Sequence, residues 1–261
     1  MWGHWWPWVV PGARAARCLV ADQLVDSVAT DATAADANAQ QLWVIRHAQP
    51  LVAKGLCYGV SDVAADPAAT EAAAVELAKA LPLGMAVGVS PLLRCEQLMT
   101  ALRRHRPDLR FKTEPRISEM DFGAWEMQRW DDISPAELAA WTDGFEHYRV
   151  GGSGESVAMV LARVQAALDA WQEDAEKPMH VSACLHAKPI KLSPPPSAAW
   201  ITHAGVSCAL ALLAQRRQQA LAGEKAQEGR RAIRAADWPL ANLGLGQWRR
   251  FAMCPARSGA G

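Results

Sequence analysis

The chain has no excess of either charge: 27 Lys and Arg stand against 27 Asp and Glu. Without a basic surplus, a role resting on bulk attraction to nucleic acid or to an anionic membrane is excluded. No apolar run reaches the ~18 residues a transmembrane helix needs. Cysteine is sparse, and Cys18, Cys57, Cys95, Cys184, Cys208 and Cys254 show no CxxC spacing. They read as reduced thiols of a cytoplasmic protein, not as a disulfide framework. No internal repeat is evident. Gly152 and Gly154 in "GGSGES" lack the GKS/T of a phosphate loop and read as a helix approach.

What is present suits one sizeable α/β domain. Of the 261 residues 51% are hydrophobic and 21% charged, an ordinary globular balance. Residues 1–40 differ, with Trp2, Trp5, Trp6 and Trp8 among prolines and then an Ala/Asp/Thr-rich stretch. They lack the basic start and clean apolar centre of a secretory signal, and are expected to be a loosely ordered extension. The domain is placed at 41–254, with a proline-rich insertion near 186–198 ("KPIKLSPPPS") and a flexible tail at 255–261.

Strands are expected at 41–45, 85–90 and 198–202, with a last edge strand in 238–251. Helices are expected at 66–81, 90–106, 155–171 and 206–221. Asp66-Pro67 and Ser90-Pro91 are both read as cap and first helical residue, and "SPAEL" from Ser134 as a capping box. Alternating strands and helices imply a three-layer α/β/α sandwich around a mostly parallel sheet.

Two Arg-His pairs then need separating. Arg104-His105 closes a helix before Arg106-Pro107, where cations suit the helix end. Arg46-His47 instead ends a strand, and residues there project into the crevice beyond the sheet's carboxyl edge. Arg94 in "SPLLR" and His203 in "WITHAG" follow strands in the same way, and Glu119 in "ISEMDFGAWE" lies in a connection that can cover the crevice. Two arginines and two histidines suit a doubly charged tetrahedral anion. A carboxyl group beside them makes sense as a proton carrier for a leaving oxygen.

"IRHAQ", "SPLLRCEQL", "SEMDFGAWE" and "ITHAG", in that order, resemble the histidine phosphatase (phosphoglycerate mutase-like) superfamily over residues 42 to about 220. Within it, "GLCYGVSD" and "EMDFGAWEMQRWDDI" look most like the α-ribazole phosphatases of cobalamin synthesis. The resemblance implies a metal-independent phosphomonoesterase with no cofactor, acting on a small phosphorylated metabolite. His47 would be the nucleophile and Glu119 the proton donor, while Arg46, Arg94 and His203 hold the phosphoryl oxygens. Gln49 and Ala204 join the substrate-binding set. Oligomeric state stays open, a homodimer among the options.

Three departures from the family pattern stand out. Ala48 replaces the usual Gly after the nucleophile, Pro50 removes a backbone N–H, and Met127 stands where Gly is common after Trp-Glu. Two alternatives stay open: a mutase that returns the phosphoryl group to substrate, and a phosphoester-binding protein with a relic pocket. His180, Cys184 and His186 are read as a surface stretch rather than a zinc site. Trp125, Trp130 and Trp141 are read as core before substrate stacking. Asp62 is read as a turn residue.

Overall fold

The computed structural model describes residues 40–176, 197–221, 232–239 and 243–253. The run Leu-Trp-Val-Ile makes β1 (Gln40–Arg46), and its alternation divides the core in two. Leu42 and Val44 pack on one face with residues of α4 (Val157–Glu176) and α5 (Ala204–Leu221). Trp43 and Ile45 pack on the other with residues of α1 (Pro67–Ala80) and α2 (Leu93–His105). Within β4 (Ala198–Thr202), Ala198 and Trp200 serve the first face, Ala199 and Ile201 the second. A strand buried on both sides in this way belongs inside a three-layer sandwich, as expected.

The sheet runs β3-β2-β4-β1-β5, with β2 (Ala86–Val89), β3 (Arg110–Thr113) and β5 (Trp248–Met253). Every pairing is parallel except β1 with β5. From β1 the chain crosses to β2 on one side, and from β4 it crosses to β5 on the other. The two central strands therefore flank a topological switch point, where side chains leaving their carboxyl ends share a crevice.

Local signals explain most element ends. Asp66 caps α1, its carboxylate accepting from Ala69 N at 2.8 Å. Ser134 caps α3 (Pro135–Asp143) through Glu137 N, while Glu137 takes the Ser134 hydroxyl proton rather than the cap's own N–H. The expected start at Ser90 is corrected: α2 begins at Leu93, its free N–H taken by Asp62 Oδ1 at 2.6 Å. Asp62 thus serves a helix end, and Ser90 is released for another partner. β3 was not foreseen, because an edge strand reading Arg-Phe-Lys-Thr with mostly exposed side chains shows no apolar alternation. Helix α5 starts two residues earlier than expected, at Ala204.

Among the described residues no helix is long and apolar enough to cross a membrane. Residues 1–39 of the N-terminal extension, the proline-rich insertion (186–196 of it), the His180–Cys184–His186 group and the tail lie outside the described residues, while Gln40 already belongs to β1.

Candidate active site

β1 delivers Arg46 and His47 to the crevice, and neighbouring backbone fixes them there. His47 N donates to Thr202 O at the end of β4 (3.1 Å), and Gly246 N donates to the Arg46 and His47 carbonyls (3.2 and 3.0 Å). Arg46 Nη1 reaches Leu243 O at 3.0 Å. The segment 243–247 just before β5 is thereby folded over the strand end, and Gly246, with φ of 73°, makes the turn that only glycine adopts readily.

The His47 ring is buried, and its Nδ1 lies 2.7 Å from Ala48 O. A carbonyl can only accept, so the ring proton sits on Nδ1 and the Nε2 lone pair is available. Burial first, then the Arg94 guanidinium, holds this imidazole well below its ordinary pKa, with Arg46 adding to the effect. Ala48 does not occupy the positive-φ region, so alanine in place of glycine brings no backbone strain here. Pro50 bridges Ala65 in an extended pairing.

His203, fully buried after β4, faces His47 with ring centroids 5.2 Å apart. Its Nε2 lies 2.8 Å from the Ser90 hydroxyl and 3.5 Å from Cys95 Sγ. With Ser90 donating, the ring proton resides on Nδ1, which has no partner among the described residues. Burial and then Arg94 keep this imidazole neutral as well. Arg94, also fully buried, gives Nη1 to Ser61 O (2.9 Å) and Nη2 to Gly59 O (2.6 Å), leaving Nε without a protein acceptor. Two buried donors of neutral and cationic type, unpaired by protein, suit an anion.

Glu119 enters from the irregular segment 114–134. Its carboxylate accepts from Met120 N at 3.0 Å and from Gly205 N, in the first turn of α5, at 3.2 Å. Gly205 permits that approach, since a Cβ there would meet Glu119 Oε1 at 2.3 Å. Arg163 of α4 holds the main chain, donating to Arg116 O, Ser118 O and Glu119 O at 2.8, 2.7 and 3.2 Å. Glu155 orients Arg163 through a two-bond ion pair at 2.8 and 2.9 Å. Thr202 Oγ1 adds a bond to Ile117 O at 2.6 Å.

The structure thus gathers Arg46, His47, Arg94, Glu119 and His203 about one crevice, with Ala204 beginning the helix beside them. Gln49 is exposed and its side chain turns to Pro50 O at 3.3 Å. Tyr58 joins the group unforeseen: Arg94 lies 5.6 Å from its ring centre, and burial raises its phenol pKa against the pull of Arg46 and Arg94. Its one sequence signal is an aromatic residue in a glycine-flanked loop. Ser90 and Arg163 were missed because a hydroxyl and a helix-face arginine announce nothing until the chain brings their partners near. Arg104 and His105, the other Arg-His pair, bind Glu71 on the surface at 2.5 and 2.6 Å. Trp125 and Trp141 are buried and pack edge-on at 5.6 Å, with Trp130 stacked on Trp141, which is core packing. Among the described residues, no three His, Cys, Asp or Glu side chains group to hold a metal.

The model of the histidine phosphatase superfamily (branch 1) matches residues 42–193. This chain belongs to that superfamily. The match begins in β1 and covers His47, Arg94 and Glu119, while His203 lies beyond it and is placed by the fold. A mycobacterial glucosyl-3-phosphoglycerate phosphatase superposes with a TM-score of 0.59 at 22% identity, over 81% of this chain and 89% of that one. A protein described as mycobacterial hydrolase 2 does so with 0.59 at 21% identity, over 84% of each chain. At such identities these neighbours establish the superfamily fold alone. The first of them has also been seen with VO3 bound. No curated protein matches the sequence.

Proposed function

We propose that the protein hydrolyses phosphomonoesters through a phosphohistidine on His47. The observation that carries this reading is the commitment of His47 Nδ1 to the Ala48 carbonyl, which leaves Nε2 as a neutral nucleophile between two guanidinium groups.

His47 Nε2 attacks phosphorus, the ester P–O bond breaks, and Glu119 gives its proton to the departing alkoxide. Glu119 then takes a proton from water, the hydroxide attacks the phosphoryl group, and the P–N bond electrons return to His47. Arg46, Arg94 and His203 hold the three non-bridging oxygens through both steps. Their fixed donors supply the charge stabilisation that other phosphatases draw from metal ions, so no metal enters the scheme. The backbone amides at the start of α5 add donors on the same side.

α-Ribazole 5′-phosphate is the leading substrate, on the strength of "GLCYGVSD" and "EMDFGAWEMQRWDDI". A phosphorylated sugar acid of the glucosyl-3-phosphoglycerate type is the second, suggested by the structural neighbour. The test is hydrolysis of p-nitrophenyl phosphate with EDTA present, in wild type and His47→Ala, followed by both natural esters. Turnover that ignores chelator and needs His47 supports the reading. An inert wild type that still binds vanadate overturns it in favour of a binding protein, and transfer to 3-phosphoglycerate instead of water makes it a mutase.

A further inference from the structure

Glu126 stands outside the ring of charged groups, yet it is anchored with unusual completeness. Its carboxylate accepts from Gly59 N (3.0 and 3.1 Å), Val60 N (3.1 Å), Ser61 N (3.1 Å) and Phe122 N (3.0 Å), and from the Ser61 hydroxyl. The same short segment turns its carbonyls the other way. Gly59 O and Ser61 O are the two acceptors that hold the Arg94 guanidinium. The Gly59–Val60 peptide unit has the Glu126 carboxylate on its N–H and the Arg94 guanidinium on its C=O, the alignment in which its dipole is stabilised at both ends.

Space around the segment is equally restrictive. A Cβ at Gly59 would meet Met120 O at 1.8 Å and Glu126 Oε1 at 2.7 Å, so the strand of chain that aims Arg94 is pressed against the residue after Glu119. Glu126 is itself set at the end of a short turn. Met127, the next residue, has φ of 61°, and its N–H donates to Cys57 O at 2.7 Å while Cys57 N donates to Gln128 O at 2.8 Å.

We propose that Glu126 is a positioning residue for anion binding: it sets the 59–61 segment so that the Gly59 and Ser61 carbonyls aim Arg94 at the phosphoryl group. The claim rests on the phosphatase reading above but goes beyond it, since Glu126 touches no substrate. A residue of purely structural value would lower thermal stability without a selective effect on the anion. A residue acting through Arg94 loses its influence once Arg94 is altered.

The experiment is a double-mutant cycle read by vanadate affinity, with KM and kcat for p-nitrophenyl phosphate alongside. Glu126→Gln is expected to weaken vanadate binding roughly 10- to 100-fold, the range typical of residues that orient a ligating group, and to raise KM more than it lowers kcat. On an Arg94→Lys background the same change is expected to cost less than about twofold. Unchanged vanadate affinity, or an equal loss on both backgrounds, overturns the proposal. Should Glu126→Gln fail to fold, Ser61→Ala removes only the hydroxyl donor. A several-fold loss confined to the Arg94 protein then supports the proposal, and no loss overturns it. A wild type that neither turns over nor binds vanadate overturns the phosphatase reading and this proposal together, whereas an active wild type with an indifferent Glu126→Gln overturns this proposal alone.

Discussion

On one side of the crevice Arg46, His47 and His203 leave the ends of two paired parallel strands, with α5 starting beside them. On the other side Glu119 leaves a stretch of single turns that is itself part of no sheet or α-helix. The first group is fixed by the ladder between β1 and β4 and by the 243–247 segment folded across the strand end. The second is fixed by side chains reaching main-chain atoms: Arg163 on three carbonyls, Glu155 behind it, and Glu126 on the 59–61 amides. A regular scaffold needs few dedicated residues to hold chemistry in place. An irregular one needs several, and they are charged because bonds to ions are the stronger ones.

Breaking the strand-end side at its centre carries the largest expected effect. His47→Ala should lower kcat by ~10⁴-fold or more, as removal of a nucleophile does elsewhere, with the fold intact by circular dichroism. On the irregular side, Glu119→Gln should lower kcat by roughly 10²- to 10⁴-fold, the range for a positioned proton donor, while vanadate affinity changes by less than about threefold. Equal losses in both would mean that the carboxyl is not the proton donor. Arg163→Leu should lower kcat about tenfold with vanadate affinity retained, and cost about 2 kcal/mol of stability, because it leaves three carbonyls and Glu155 without their partner. Chemical denaturation and steady-state kinetics measure the two parts.

The strand-end side should also reveal itself through pH. His47 and His203 have depressed pKa values in the folded protein, whereas an unfolded chain titrates its histidines near pH 6.5. Below that pH the unfolded state binds protons that the folded state refuses. Stability from this source is therefore complete above about pH 6.5 and falls as the medium is acidified. Melting temperature should decline from about pH 7 to pH 5, and less so in His203→Asn. The smallest effect belongs to Met127, an exposed residue in the left-handed region. Met127→Gly should raise stability by up to about 1 kcal/mol through relief of backbone strain, with kcat unchanged.

The same contrast explains what could be read from the sequence. Arg46, His47 and His203 follow strands whose apolar runs are local and plain, so their place at the crevice was legible along with the sandwich itself. The capped starts of α1 and α3 were equally plain. The start of α2 was misread because its N–H partner, Asp62, lies 31 residues upstream of Leu93. The supports of Glu119 escaped notice because their partners are backbone atoms far along the chain, and no residue pattern encodes which carbonyl an arginine will find. Family resemblance singled out Met127, and the structure supplies its meaning as a residue held at a glycine's backbone angles.

The atom that carries the phosphoryl group decides the mechanism. Rapid quench of p-nitrophenyl [³²P]phosphate turnover in Glu119→Gln, where loss of the base should slow breakdown of the intermediate, followed by mapping of acid-labile label, tests it most directly. Label is expected on Nε2 of His47 and nowhere else. Label on His203, or full turnover with no acid-labile phosphoenzyme at any time, would contradict it.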